Sequence, residues 1–376
     1  MIARAVPAVL MLVLLAAAPA AAATGVRLTR GFPVAGPVLA EGDRAVWVDS
    51  RYGLPFGAQT RGDGLVVRSA RRGAGDATEL AVIQDPEPLV TTRAASFGAS
   101  GERLALGVTR WFRPSDPDER VQTSYVDQQI RVAEGAGPFR TLATCDRDAP
   151  GLALDDATLL SSQPCEGLVV RRLDAGDVPE PLADGGGRTA LAGRFAAWVE
   201  RPRPGAHPTS VVGDVVVFDL ARGAEAYRIA ASALPGGVLD LDVQADGKVA
   251  VASKRAGRTR VRVGGPGRRL RTLPFPRSEL YGVRIARDRV VGQAVDSAGY
   301  GLRRLLLVDL RAPARARTLA REAVGAQFRA LFDFDGDGLT WVTKRCARYS
   351  LELRVSSLRA LRRRPARAPR CARRGR

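Results

Sequence analysis

The feature that most constrains the fold is a pattern that recurs seven times, at steps of about 38 to 59 residues. Each unit has a turn with a charged or small residue, followed by an apolar run that ends in a polar or basic pair. The units begin at Asp43, Glu102, Asp156, Arg194, Gly247, Asp288 and Asp337. Three of them place a tryptophan four positions after the start, at Trp47, Trp198 and Trp341. A period of this length is typical of repeat proteins such as propellers.

Each unit also contains further short strands. A strand rich in β-branched residues or Leu follows at Leu65, Ile130, Leu168, Val215, Arg260, Leu305 and Leu351, and a weaker one starts at Arg140, Tyr227, Arg269 and Arg317. No convincing amphipathic helix lies between them, so each unit is a β-meander of four strands. The sequence therefore predicts an all-β, seven-bladed β-propeller with four-stranded blades. The alternative is that these runs are strands of a sandwich or of two separate β domains.

The seventh unit lacks its outermost strand, because it ends near Val355. The segment 26–30 (VRLTR) looks like the fourth strands of the other units. We therefore predict that this N-terminal strand completes the last blade and closes the ring. Deletion of residues 24–32 is then expected to destabilise the whole ring.

The first 23 residues have the pattern of a secretory signal peptide: Arg4, an apolar run from Ala5 to Ala18, and a small-residue site that ends at Ala23. The alternative is an uncleaved anchor, but the run is shorter than the roughly 20 residues that a membrane-spanning helix needs. We expect a secreted or extracytoplasmic protein with no transmembrane span. Its predicted organisation is a signal peptide at 1–23, the propeller at 24–358 and an Arg-rich tail at 359–376.

Export makes the four cysteines candidates for disulfide bonds, since bridges persist in oxidising compartments. Three pairings are formally possible. Spacing favours two local bonds, Cys145–Cys165 and Cys346–Cys371. Zinc is a poor alternative, because His207 is the only histidine and no CxxC spacing is present.

The repeats carry two similar strand ends, Val215–Leu220 (VVVFDL) and Leu305–Leu310 (LLLVDL), each with Asp-Leu before a turn. On these residues the chain, over about 25–358, resembles the exported TolB-like and WD-repeat-like (WD40-like) propellers of bacteria. The resemblance implies a platform that binds a protein or a ligand, more often than an enzyme.

The loops between second and third strands are the long ones, at about 50–63, 110–128, 201–213 and 296–304, and long loops on a rigid scaffold often carry function. Aromatic and Arg side chains concentrate there, a mixture that suits a sugar, a peptide or a polyanion. The predicted ligand-binding rim consists of Arg51, Tyr52, Arg110, Trp111, Tyr125, Arg201, Arg255, Tyr300 and Arg345. The alternative is that the aromatics only pin the loops and that Arg is simply abundant.

The net charge of +19 suggests anionic partners, but it is unevenly distributed. The segment from Arg354 to the C-terminus carries ten Arg and no acidic residue, the signal peptide carries one positive charge, and the remaining body is only moderately basic. The body therefore does not indicate a dedicated nucleic-acid-binding fold. For the tail, we expect weak, salt-sensitive binding to polyanions; the alternative is a solvated tail.

Asp333, Asp335 and Asp337 form a DxDxDG string like the start of a calcium loop. An EF-hand would need Glu at the twelfth position, where Lys344 stands, so an ordinary turn is favoured and no metal is expected. No GxSxG, HExxH or GxxxxGK[ST] string is present, and we expect no cofactor and assign no catalytic residue.

The sequence thus predicts a binding or scaffold protein, expected to be a monomer, whose partner is an unidentified protein or anionic polymer. The alternative is a propeller enzyme, a glycosidase or lyase acting on extracellular glycan, which would need two carboxylates that face each other in the central cavity.

Overall fold

Seven antiparallel β-sheets of four strands follow one another along the chain and form a closed ring, a seven-bladed β-propeller. The computed structural model describes residues 25–26, 38–50, 65–72, 77–83, 90–112, 124–135, 137–146, 151–163, 165–205, 210–255, 257–276, 280–295, 303–323, 332–344, 351–363 and 365–366. The predicted fold class is confirmed, and the alternatives of a sandwich or two β domains are wrong.

The blades are numbered along the chain, and the strands of each blade are counted outward from the ring axis. The first strands are Val38–Glu41, Val90–Ser100, Gly151–Asp155, Gly186–Ala192, Val238–Val243, Leu280–Ala286 and Phe332–Phe334. The second strands are Arg44–Ser50, Arg103–Phe112, Thr158–Gln163, Phe195–Glu200, Val249–Arg255, Arg289–Val295 and Gly338–Lys344. The third strands are Leu65–Arg71, Ser124–Glu134, Gly167–Arg172, Val215–Asp219, Arg258–Gly265, Arg303–Asp309 and Leu351–Ser357. The fourth strands are Thr78–Ile83, Arg140–Cys145, Glu180–Ala183, Ala224–Ile229, Arg268–Thr272 and Arg317–Ala323, and Gly25–Val26 pairs at the outer edge of blade 7.

The repeated apolar runs form the second strands, and their sequence has a direct physical reason. A second strand packs against a neighbouring blade on each face, so both of its faces are buried and apolar residues need not alternate with polar ones. In blade 4, Phe195 to Val199 are all buried, and Trp47, Trp198 and Trp341 are at most 2% exposed. The tryptophans that mark the repeat are therefore core residues between blades.

The ring is built at its centre by the first strands, each of which contacts the first strand of the next blade, and that of blade 7 contacts that of blade 1. Side chains near the ends of these strands reinforce the contacts by accepting a hydrogen bond from a backbone N–H in the next blade's first turn. Ser100 Oγ accepts from Asp156 N at 2.8 Å, and Gln244 Oε1 accepts from Asp288 N at 3.0 Å. At the closure, Asp335 Oδ2 accepts from Gly42 N at 2.5 Å. We call these bonds the inter-blade latches.

The first and the last described segments of the chain both lie against the last two blades. Gly25 and Val26 pair with Arg354 and Leu353 of the third strand of blade 7. The rest of the predicted N-terminal strand, 27–30, lies outside the described residues, so closure by a full strand stays a prediction. After blade 7, the helix Leu358–Arg363 buries two leucines, and residue 366 pairs with the fourth strand of blade 6. The first residues of the predicted tail therefore pack on the ring.

The disulfide Cys145–Cys165 is confirmed, and it joins the fourth strand of blade 2 to the second turn of blade 3. Cys346 and Cys371 lie outside the described residues, as do the predicted signal peptide and His207. Short additional pieces are the 3-10 helix Ala231–Ala233 and the two-residue strands Arg203–Pro204 and Val211–Val212, which pair within the long loop of blade 4.

Candidate functional site

The meander topology divides the connections between two faces of the ring. The turns between first and second strands and between third and fourth strands are short, and they lie on one face. The connections between second and third strands and between blades lie on the other. We call these the short-turn face and the long-loop face. The described residues of the predicted rim lie in strands or connections near the long-loop face: Arg110, Trp111, Tyr125, Arg201 and Arg255.

Four residues of the predicted rim, Arg51, Tyr52, Tyr300 and Arg345, lie outside the described residues. Tyr125 is in the third strand of blade 2, where it pairs with Trp111 of the second strand.

Arg110 differs from the expected exposed cation, since the second strand of blade 2 continues past it to Phe112. Arg110 is 5% exposed, and its Nη1 lies 2.7 Å from Asp127 Oδ2 on the next strand. This residue is therefore held in a buried ion pair. Arg201 and Arg255 are exposed.

Arg255 contributes to a cleft on the long-loop face of blade 5, with a volume of about 270 Å³. The described residues that line it are Pro235, Ser253, Arg255, Arg258 and Arg260, and none of these five is acidic. We call it the blade-5 rim cleft.

A tight hairpin concentrates the positive charge of this cleft. The turn includes Gly257 in the left-handed region, at φ +74°, which glycine adopts without steric strain. The turn places Arg255 directly opposite Arg258. Like charges opposite each other across two strands are destabilising, so the hairpin gains if an anion lies between them.

Arg262 extends the basic character inward from the cleft. It is 8% exposed, and its Nη1 donates a 2.9 Å hydrogen bond to Ser253 Oγ. Burial, and to a lesser extent the charge of Arg260, lowers the pKa of Arg262 below its ordinary value. The spacing of Arg258, Arg260 and Arg262 at every second residue was a sequence signal for this surface that the loop-based prediction missed.

A second polar cluster lies on the inner strands of blades 5 to 7. Asp240 and Asp242 share one face of the first strand of blade 5, since they are two residues apart. Arg284 of blade 6 donates from Nη1 to Asp240 Oδ2 at 3.0 Å and from Nε to Asp333 Oδ1 of blade 7 at 2.9 Å. Asp242 Oδ2 accepts from Ile285 N at 2.7 Å. We call these four side chains, Asp240, Asp242, Arg284 and Asp333, the inner-strand cluster.

Burial and neighbouring charges shift the pKa values of the side chains in the inner-strand cluster. Burial raises the pKa of Asp242 to about 7, against the opposing effect of the Arg284 charge. Burial also raises the pKa of Asp333. Burial disfavours the charge of Arg284, but the surrounding carboxylates outweigh it and raise its pKa. The alternation of Asp with apolar residues in 238–243 (VLDLDV) was the sequence signal for this pair.

The DxDxDG string has a structural role that its motif did not indicate. Asp333 Oδ2 accepts from Ala40 N at 2.9 Å, and Asp335 accepts from Gly42 as the closing latch. Asp335 Oδ1 also accepts from the N–H groups of Asp337 and Gly338, which is turn chemistry. Asp337 pairs instead with Arg287 of blade 6. Among the described residues, no three His, Cys, Asp or Glu side chains group as metal ligands would.

Comparisons with known proteins agree on the fold. No family model and no curated protein matches the sequence. A structure described as U3-55K is 15% identical, with a TM-score of 0.53 over 88% of this chain and 97% of that one. The β-propeller domain of the Trilobed protease from Pyrococcus furiosus is 11% identical, with a TM-score of 0.53 over 86% and 96%. A chain of a mitotic checkpoint complex is 10% identical, with a TM-score of 0.54 over 95% and 99%.

The chain has a β-propeller fold. At these identities the likeness shows the fold alone, and a propeller supports either a binding or an enzymatic role. Within the part of the chain that the structure describes, no helix is long and apolar enough to cross a membrane.

Proposed function

We propose that this chain is an exported propeller that binds a protein or an anionic polymer through its long-loop face. The observation that carries the proposal is the blade-5 rim cleft, where Arg255, Arg258 and Arg260 line one concavity and none of the described lining residues is acidic. Guanidinium groups match carboxylate, sulfate and phosphate through paired hydrogen bonds. The resemblance to TolB-like propellers supports the same role.

Export is the second part of the proposal. It is supported by the predicted signal peptide at 1–23 and by the Cys145–Cys165 disulfide, since such bonds persist in oxidising compartments. One of the similar folds is part of a mitotic checkpoint complex, which shows that a propeller of this size can act within a protein assembly.

The proposal is tested with heparin, a sulfated polysaccharide, as the probe and the full chain as the protein. Arg255→Glu/Arg258→Glu reverses the charge of the cleft on exposed side chains. The matched control, Arg71→Glu/Arg222→Glu, makes the same charge change at exposed positions near the third turns of blades 1 and 4, on the short-turn face. We expect the cleft variant to bind heparin at least about tenfold more weakly at 0.15 M salt, with a shallower salt dependence. The control is expected to stay within about threefold. Equal losses in both variants would show that binding follows net charge and would contradict the proposal.

A glycosidase or lyase is the second candidate function, and the inner-strand cluster is the observation that favours it. Three carboxylates from blades 5 and 7 converge there, and Asp242 has a pKa of about 7, near the value that suits a general acid. Arg284 occupies two of the carboxylates, which favours a structural role for them. Release of reducing or unsaturated ends from a panel of extracellular polysaccharides tests this candidate. Activity that Asp242→Asn abolishes, with the fold retained, would favour the enzyme.

A further inference from the structure

A second basic cleft lies on the short-turn face, between blades 5 and 6, with a volume of about 390 Å³. It is lined by Lys248, Val263, Gly264, Arg268, Arg269, Arg271, Asp288, Leu310 and Arg311. Five of these side chains are cationic and one is acidic. We call it the inter-blade cleft. It is distinct from the blade-5 rim cleft, because the two lie on opposite faces of the ring and share no residue.

Four elements supply the charged residues of the inter-blade cleft, and the first turn of blade 5 supplies Lys248. The turn at Gly267, with φ +65°, starts the fourth strand of blade 5, which supplies Arg268, Arg269 and Arg271. The first turn of blade 6 supplies Asp288, and its third turn supplies Arg311. All four elements belong to the ring, so the backbone positions that carry the cations are set before any ligand arrives, and preorganisation of this kind lowers the cost of binding.

Asp288 arranges part of the cleft rather than neutralising it. Lys248 Nζ lies 2.6 Å from Asp288 Oδ1, and Arg311 Nε lies 3.4 Å from Asp288 Oδ2. Contact with Lys248 is the main cause that lowers the pKa of Asp288, so it stays ionised. Its one negative charge is shared between two cations that it holds at the cleft.

The remaining arginines have no such partner. Arg268, Arg269 and Arg271 are exposed, and within the described part of the chain no carboxylate lies within ion-pair distance of them. Arg271 donates one hydrogen bond, from Nη2 to the carbonyl oxygen of Leu310 at 3.1 Å, which orients it across the boundary between the blades. Lys248 Nζ also pairs with Asp246 Oδ2 at 2.5 Å, so the five cations of the lining meet two carboxylates and an excess of three positive charges remains, more than a single monoanion neutralises.

We propose that the inter-blade cleft binds a ligand that carries several linked phosphate groups, as a polyphosphate chain does. Arg recognises phosphate through its planar fork, and Lys248 adds a compact point charge. The cleft volume lies within the range of small-molecule sites, about 300–1,000 Å³. The excess charge favours several negative groups in one molecule over one isolated anion. This site is independent of the long-loop face and of its proposed function.

Calorimetry with the full chain tests the proposal, with inorganic tripolyphosphate and orthophosphate as probes at 0.15 M salt. We expect tripolyphosphate to bind at least about tenfold more tightly than orthophosphate. Arg268→Glu/Arg269→Glu is expected to weaken tripolyphosphate binding at least about tenfold. Arg71→Glu/Arg222→Glu, at exposed positions near the third turns of blades 1 and 4, makes the same charge change outside both clefts and is expected to change tripolyphosphate binding by less than about threefold.

Arg268→Gln/Arg269→Gln provides a second, milder variant, and a thermal melt of each variant checks its fold. If the reversed charges prevent folding, the Gln variant is expected to weaken binding by about fivefold. The proposal is overturned if tripolyphosphate does not bind, if orthophosphate binds as tightly, or if folded inter-blade variants bind as the wild type does. A loss in Arg71→Glu/Arg222→Glu equal to that in the inter-blade variant would also overturn it.

Discussion

The carboxyl group of Asp242 is expected to make the stability of the ring depend on pH. Its pKa is raised to about 7 in the folded chain, mainly by burial, from an ordinary value of 3.8. Well below pH 3.8 the group is protonated in both the folded and the unfolded chain, so its burial does not lower the free energy of unfolding. As the pH rises from 4 to 7, the unfolded chain ionises first, and the free energy of unfolding falls. Above about pH 7 both states are ionised and the loss stays constant.

The size of this effect follows from the shift. A shift of about three pKa units corresponds to about 4 kcal/mol at most, of which about 2.6 kcal/mol falls between pH 5 and pH 8. Asp242 is half-buried. Water there screens its charge, so we expect about 1–3 kcal/mol over this interval.

Asp242→Asn tests this expectation, because an amide oxygen can still accept the hydrogen bond from Ile285 but the group no longer ionises. Urea unfolding of the wild type and the variant at pH 5 and pH 8 measures how the free energy of unfolding of each protein depends on pH. Between pH 5 and pH 8, the free energy of unfolding of the wild type is expected to fall by about 1–3 kcal/mol more than that of the variant. Asp155→Asn, on the first strand of blade 3, controls for the removal of an inner-strand carboxylate. Equal pH dependence in wild type and Asp242→Asn would refute the reasoning, since another group would then take up the proton.

Three further changes test the ring and its bonds. Asp335→Ala removes the closing latch between blades 7 and 1, and urea unfolding is expected to show a loss of about 2–3 kcal/mol, typical of a charge-assisted hydrogen bond; a change below about 0.5 kcal/mol would count against the latch. Cys145→Ser/Cys165→Ser removes a disulfide that spans 20 residues, and the free energy of unfolding is expected to fall by about 3 kcal/mol because the unfolded chain loses a loop constraint. Reducing agent is expected to destabilise the wild type but not this variant. At Gly236, whose φ is +85°, substitution by Ala would bring a Cβ to 1.8 Å from the backbone oxygen of Lys254, so Gly236→Ala is expected to lower the melting temperature. A melting temperature equal to that of the wild type would contradict the described backbone.

The repeat pattern could be predicted because it has a local cause. A strand buried on both faces must be apolar throughout, and the turn before it needs small or polar residues, so each blade leaves the same mark on the sequence. Trp47, Trp198 and Trp341 mark that strand for the same reason. The local disulfide was predictable from spacing and compartment, and it is confirmed.

The sites were harder to predict, because they depend on which side chains meet across blades or strands. Arg110 looked like a rim cation, but its neighbour Asp127 on the next strand pairs with it and buries it. Asp335 looked like a turn residue or a calcium ligand, but Gly42 supplies an N–H from almost 300 residues away. Which side chains and backbone groups pair in this way is decided by the folded ring, and the sequence around either partner contains no pattern that predicts the pairing.

The binding role of the long-loop face is tested most directly by hydrogen–deuterium exchange of the full chain with and without heparin. The expected result is slower exchange, by about fivefold or more, at the backbone amides of the hairpin 253–262, with little change in the strands Thr158–Gln163 and Gly167–Arg172 of blade 3. Protection confined to the C-terminal segment, or to the short-turn face, would contradict the proposed binding surface.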